Sequence, residues 1–228
     1  MRSNLRAQVV TCFALLCVTV VTNAGAQRTD SVPHAVDCHP LAAGAALPAI
    51  GCTIVGERTL TRLPRAPLYW YLVAYRDRAA AEAAAGPSSV VADAEGRHWV
   101  FSIAPKKHGP KGGQQVARVG PLPMPHKQPF VLTAATAVLP PGASSRVHEH
   151  AGPEAWYLLT GEQCLETRAG IKRVGARHTM IQPGYTPMQL NVTGRETRHA
   201  LFIVLHDSAT TFAIPSTWTP PGRCNVAR

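Results

Sequence analysis

The chain has 228 residues, of which 46% are hydrophobic and 16% are charged. This length suits one or two compact domains, and the composition excludes a wholly disordered chain. The formal net charge is +10, but the basic residues are thinly spread and no aromatic platform is interleaved with them. We therefore expect no nucleic-acid partner.

The chain begins with the features of a cleavable export signal. Arg2 and Arg6 precede an apolar run from Val9 to Val21, and Ala24-Gly25-Ala26 then supplies small residues. This order predicts a signal peptide over residues 1–26, cleaved after Ala26. The apolar run is short for a bilayer span, and no later segment is apolar enough to cross a membrane. We expect a secreted protein of the bacterial periplasm, without a membrane span after cleavage.

Four cysteines remain after removal of the leader: Cys38, Cys52, Cys164 and Cys224. An even number of cysteines in an oxidising compartment indicates disulfide bonds, for which three pairings exist. Proximity in the sequence favours Cys38 with Cys52, and elimination then leaves Cys164 with Cys224.

The first part of the mature chain predicts a short arm and then a strand followed by a helix. Residues 27–47 lack a hydrophobic period and are expected to form an N-terminal arm. Leu68–Tyr75 is dense in aromatic and β-branched side chains, which predicts a strand. Asp77 stands where a helix N-cap belongs, and Gly86-Pro87 ends the Ala-rich stretch that follows it.

Two further strands are predicted after this helix, over residues 90–92 and 98–103. The resulting β-α-β-β order predicts a small α+β domain over residues 48–125. Residues 106–113 are expected to form a polar loop, and the Pro-rich stretch 121–129 is expected to act as a linker.

From residue 130 onward the pattern changes to short β-like runs separated by Gly and Pro. Such runs at this spacing are typical of a sandwich or a small barrel, here over residues 130–215. Residues 216–228 are expected to form a C-terminal tail. The runs are residues 131–139, 155–160, 163–167, 179–181, 188–192 and 200–205.

One constellation in this β region suggests metal chemistry. His148 and His150 are two residues apart, so on a strand both imidazoles point to the same face. Gly152-Pro153 predicts a turn, after which Glu154 opens the next strand and can return its carboxylate toward the rings. Two nitrogens and one oxygen in this arrangement form a ligand set that leaves metal coordination positions open.

The spacing Gly142-x5-His148-x-His150-x3-Glu154-x6-Gly161 resembles the first motif of the cupin superfamily at every fixed position. The resemblance covers about residues 130–215 and implies a mainly β protein: a C-terminal double-stranded β-helix (jelly-roll) barrel preceded by the small α+β unit. It also implies that His148, His150 and Glu154 bind a divalent metal, with Fe, Mn or Zn as the expected ions. The whole sequence is similar to small secreted cupin proteins of unassigned activity, which gives no reaction.

The second cupin motif is degenerate in this chain. Gly184 and Asn191 have the expected separation, but Pro187 stands where the family has its remaining histidine ligand. By strand parity Gln189 shares the face of Pro187, which makes it the candidate fourth ligand. Met188 would face the cavity only if the register slipped by one. His199 and His206 are further candidates for the missing ligand, at the ends of the run 200–205.

Three interpretations of this site remain open. In the first, the three residues hold a metal and the protein is an oxygenase, isomerase or hydrolase acting on a small molecule. In the second, the protein is a non-catalytic periplasmic ligand-binding or scaffold protein, with a homodimer as one expected form. In the third, His148, Glu149 and His150 form an inherited hydrogen-bonded cluster. The sequence identifies no catalytic acid or base.

Overall fold

The computed structural model describes residues 35–124 and 129–225, and the predicted signal peptide lies outside these ranges. Fifteen strands, one α-helix and one short 3₁₀ helix make up the elements of the described residues. They are β1 (Cys38–Pro40), β2 (Gly51–Leu60), β3 (Leu68–Tyr75), α1 (Arg78–Ala84), β4 (Ser89–Ala94), β5 (Arg97–Pro105), β6 (Gln114–Val119), β7 (Phe130–Leu139), β8 (His148–Glu149), β9 (Glu154–Thr160), β10 (Glu162–Thr167), β11 (Gly170–Gly175), β12 (Thr179–Gln182), β13 (Met188–Val192), β14 (Arg198–Asp207), β15 (Ile214–Pro215) and the 3₁₀ helix (Arg223–Asn225).

The eight strands from β7 to β14 form a jelly roll. Four of them lie in one sheet in the order β7-β14-β9-β12, and the other four lie in a second sheet in the order β11-β10-β13-β8. The first strand therefore pairs with the last, and the chain crosses repeatedly from one sheet to the other. This strand order is that of a double-sheet jelly roll and confirms the predicted fold class.

Alternation along β14 divides its side chains between two cores. Ala200, Phe202 and Val204 face the barrel interior, where they pack with Trp156 of β9. Leu201, Ile203 and Leu205 face the other way and join a second core. Because both faces of the strand are covered, its sequence is almost continuously apolar rather than alternating with polar residues.

The second core is closed by a four-stranded sheet with the order β4-β5-β3-β6. Trp70, Trp99 and Phe101 of this sheet are buried together with Leu132 and Leu201 of the barrel. The sheet contains the predicted strand Leu68–Tyr75, followed by α1. Asp77 caps this helix, because its carboxylate accepts the Ala80 amide hydrogen at 2.8 Å.

Strand β2 differs from the sequence-based expectation. It falls within the range 48–125 but pairs antiparallel with β7, from Gly51 opposite Val138 to Leu60 opposite Phe130. A break in register between Ile54 and Gly56 interrupts its pattern, so no uniform alternation marks it in the sequence. The boundaries of the arm, the α+β domain, the barrel and the tail stay predictions.

Two disulfide bonds have the predicted pairing. Cys38 of β1 bonds to Cys52 of β2, and Cys164 of β10 bonds to Cys224 in the C-terminal segment. Two disulfides fit an oxidising environment. Among the described residues, no helix has both the length and the apolar character needed to cross a membrane.

Candidate metal centre

The three residues of the first motif meet at one end of the barrel. His148 lies on β8, Glu154 is the first residue of β9, and His150 lies in the short connection between the strands. The two imidazole rings share a face, as strand parity predicts, with centroids 4.8 Å apart. The candidate ligand atoms of all three side chains lie within 4.8 Å of one another. His150 and Glu154 are buried, at 2% and 5% exposure.

Hydrogen bonds to the backbone orient both imidazole rings. The Nδ1 of His148 lies 2.8 Å from the carbonyl oxygen of Arg146, and the Nδ1 of His150 lies 2.5 Å from that of Phe212. A carbonyl only accepts, so Nδ1 carries the proton in each ring and donates it. In the neutral imidazoles the lone pairs therefore lie on Nε2. Metal-binding histidines are commonly oriented by this kind of contact.

Glu154 faces the same point with an oxygen that lacks a hydrogen bond. Its Oε2 lies 3.0 Å from Nε2 of His150. Within the described part of the chain, neither atom has a hydrogen bond of acceptable geometry, and both are fully buried. Two buried electron-pair donors that face each other require a shared proton or a cation between them. A divalent cation fits this donor set, because it satisfies both atoms together with Nε2 of His148.

The electrostatics distinguish the two histidines. Burial lowers the pKa of His148, and the neighbouring His150 ring lowers it further. Burial also acts to lower the pKa of His150, but the charge and contact of Glu154 outweigh it and leave that pKa raised. His148 is therefore a neutral lone-pair donor at neutral pH, whereas His150 binds a proton firmly when nothing else neutralises Glu154.

The end of the barrel that carries His148 and Glu154 opens into a cavity of about 540 Å³. The walls are largely apolar, with Trp156 and Phe202 from one sheet and Leu165 and Met188 from the other. Val36 and Cys38 of the N-terminal segment also line this cavity. This volume is in the range of small-molecule sites, which are apolar cavities with few polar groups.

The candidates for a fourth ligand lie elsewhere. Gln189 points away from the cavity. Its side-chain amide nitrogen donates a hydrogen bond to the Ser145 carbonyl oxygen at 3.2 Å. Met188 lines the cavity in its place. The prediction assumed that Pro187 lies on the strand, but β13 begins at Met188. The alternation of apolar and polar residues over 188–192 indicates the observed orientation.

The two other histidines also have partners of their own. His199 pairs with Glu95 at 2.8 Å on the outer side of the barrel sheet. Nε2 of His206 lies 3.3 Å from the Thr133 hydroxyl, and its Nδ1 lies 3.0 Å from the Asp207 carbonyl. Neither residue belongs to the group of converging ligand atoms found among the described residues.

The sequence reasoning missed two polar residues in the barrel interior. Arg198 begins β14 and lines the cavity, and Gln163 of β10 accepts a hydrogen bond from it. Arg198 has the same parity as Ala200, Phe202 and Val204, so the alternation of β14 indicates its inward position. The signal is easily overlooked, because an arginine at a strand end is usually exposed.

No family model matches the chain, and no curated protein matches it either. Among solved structures, an oxalate decarboxylase from Bacillus subtilis is 21% identical over 37% of this chain and 24% of its own, with a TM-score of 0.33. A cupin superfamily protein from Desulfitobacterium hafniense is 17% identical over 33% of this chain and 68% of its own, with a TM-score of 0.31. This chain thus spans about a quarter of the decarboxylase's length.

These likenesses carry no argument about this chain, whose own strand order defines its fold. The jelly roll places His148 on β8, His150 directly after β8 and Glu154 at the start of β9. The barrel is a double-sheet jelly roll. Its reaction does not follow from its fold, because one fold carries many unrelated activities.

Proposed function

We propose that this jelly roll is a cupin barrel and that it binds one divalent transition metal through Nε2 of His148, Nε2 of His150 and the Glu154 carboxylate. The observation that carries the proposal is the convergence of three electron-pair donors, two of them buried without a hydrogen bond. Two imidazoles and a carboxylate suit Fe, Mn or Zn. The backbone bonds at both Nδ1 atoms support it, because they hold the rings in the orientation that ligation requires.

We further propose that the protein acts on a small molecule bound in the cavity. A metal held by three protein ligands supplies Lewis acidity or activates water or oxygen at its open positions. The chain's own contribution is to orient the three ligands, to exclude bulk water and to place apolar walls around the substrate. Oxygenase, isomerase and hydrolase chemistry all fit such a centre.

A non-catalytic ligand-binding protein is the second candidate. It is favoured by Pro187, which lies where cupins have their remaining histidine, and by the largely apolar cavity. In this case the barrel would bind a small molecule without turning it over. For either function we propose export to the periplasm by the leader, a location that both disulfides support.

Metal analysis of the purified protein tests the metal site. The leaderless chain should be isolated without metal-affinity chromatography and its metal content measured by mass spectrometry. We expect about one equivalent of metal per chain, and its loss in a His148→Ala, His150→Ala double variant. His178→Ala is the matched control, because His178 is exposed on the same barrel and its Nδ1 bonds only to the Ala176 carbonyl in the described contacts. Equal metal content in the double variant and the control would contradict the site.

A further inference from the structure

Arg198 is a buried cation in the wall of the barrel cavity. Its side chain is among the largest that are fully enclosed, at 1% exposure. Nε donates to Oε1 of Gln163 at 2.7 Å. Nη2 is also buried, and within the described residues it has no hydrogen-bond partner. One edge of the guanidinium is thus held in place and the other has an unused donor.

Among the described residues, no carboxylate forms an ion pair with Arg198, although a buried arginine usually has an acidic partner. The negative charge of Glu154 acts on Arg198 through space and offsets part of the effect of burial on its pKa. Burial lowers the pKa of Arg198 to about 10, so the side chain still carries its charge at neutral pH. An unpaired buried charge destabilises a fold, and its presence in a cavity points to an anion that completes it.

The surroundings of Arg198 limit what that anion can be. The same cavity is lined by Leu139, Trp156, Leu165 and Phe202. These walls favour a hydrocarbon body, whereas a small hydrated anion such as acetate gains little from them. The planar guanidinium is suited to a carboxylate, which it binds through parallel N–H groups.

We propose that Arg198 anchors the carboxylate of a small amphipathic acid whose apolar body lies along the walls of the barrel cavity. We expect the far end of the acid to point toward His148, His150 and Glu154, and this direction rests on the proposed function. The anchoring itself does not. Gln163 acts as a positioning residue, because it holds Nε and leaves the remaining edge of the guanidinium to the ligand.

Calorimetric binding to metal-free protein tests the proposal. The protein is treated with a chelator and dialysed free of it, so that carboxylates cannot bind through a metal. The probes are hexanoate and phenylacetate, with hexanol, hexylamine and acetate as comparisons. We expect both acids to bind, and hexanol, hexylamine and acetate to bind about 10- to 100-fold more weakly.

Three variants assign the preference to Arg198. Arg198→Met keeps a long apolar side chain without charge, and we expect it to lose about 10- to 100-fold in hexanoate affinity. Arg198→Lys keeps the charge but not the planar donor pair. Its hexanoate affinity should lie between those of the unmodified protein and of Arg198→Met. Arg195→Met is the matched control, since Arg195 is exposed three residues earlier; its affinity should equal that of the unmodified protein.

The stability of Arg198→Met separates anchoring from a structural role. Replacing an unpaired buried charge with an apolar side chain should leave the melting temperature unchanged or raise it. If Arg198→Met folds poorly, a Gln163→Leu, Arg198→Met double variant takes its place. The double variant also removes the Gln163 amide, whose oxygen loses its Arg198 partner in the single variant. Unchanged hexanoate binding in either variant, equal binding of hexanol, or no binding of both acids would overturn the proposal. Metal content is measured separately. A negative result for the metal site therefore leaves the test of Arg198 intact, and the reverse also holds.

Discussion

The backbone of Gly184 lies directly against that of Gly152, so that a Cβ added at Gly184 would fall 2.5 Å from the Gly152 Cα. Gly152 is also pressed against the Leu205 carbonyl of β14. These contacts hold the connection that carries His150 to Glu154. The glycine of the degenerate second motif thus supports the geometry of the first, although its neighbour Pro187 supplies no ligand.

Gly184→Ala should disrupt the metal centre without touching a ligand. The new methyl group has no room against backbone atoms, so we expect a loss of about 1–3 kcal/mol in the free energy of unfolding. Metal stoichiometry should fall with it, because the turn before Glu154 must move. Gly175→Ala is the control, since a Cβ there meets no atom within 4 Å. Denaturant unfolding and metal analysis check both variants; equal stability of the two would contradict the packing argument.

Glu154→Gln should weaken metal binding while leaving the barrel folded. The amide keeps the shape of the side chain but removes the negative charge, so we expect metal affinity to fall at least about tenfold. Glu149→Gln is the matched control, because Glu149 lies between the two histidines in the sequence but outside the group of converging ligand atoms. Competition with a metal-sensitive dye measures both. Equal affinity of the two variants would show that Glu154 is not a ligand.

Metal affinity should fall as the pH is lowered. Protons and the metal compete for the Nε2 lone pairs of His148 and His150. Because the Glu154 carboxylate holds the pKa of His150 above the ordinary value for a histidine, competition begins at a higher pH than for an ordinary histidine and strengthens as the solution becomes more acidic. Apparent dissociation constants for Zn²⁺ or Mn²⁺ between about pH 5.5 and 8.5 check this. A constant affinity across that range would exclude histidine ligands.

The Cys38–Cys52 disulfide should hold the N-terminal segment, whose Val36 lines the cavity, against the barrel. Val36 donates its amide hydrogen to the Ser144 carbonyl at 2.9 Å, two residues before the disulfide. Cys38→Ser, Cys52→Ser should therefore speed hydrogen exchange at the Val36 amide and remove about 3 kcal/mol of stability. Cys164→Ser, Cys224→Ser should also lower stability but leave exchange at Val36 unchanged. Exchange that responds equally to both variants would contradict a local role.

Local pattern was enough to predict much of the barrel. The runs between residues 131 and 205 correspond to β7, β9, β10, β12, β13 and β14. The two-residue spacing of His148 and His150 predicted a common face, and the rings do lie together, although β8 ends at Glu149 and His150 follows it in the connection. Asp77 marked the start of α1. Strands β6 and β11 were missed, since each lies at the edge of a sheet and carries polar residues that give little periodic signal.

The partners of these elements were decided by the tertiary structure. Nothing local pairs β2 with β7 or stacks the β3 sheet against the barrel, because such contacts join residues far apart in the chain. Met188 faces the cavity in place of Gln189 because β13 pairs with β10 and β8 in a register that buries its apolar residues. Arg198 became a cavity residue for the same reason. The sequence by itself determined which side chains share a strand face, since that depends on backbone geometry alone, whereas the fold determined what each face meets.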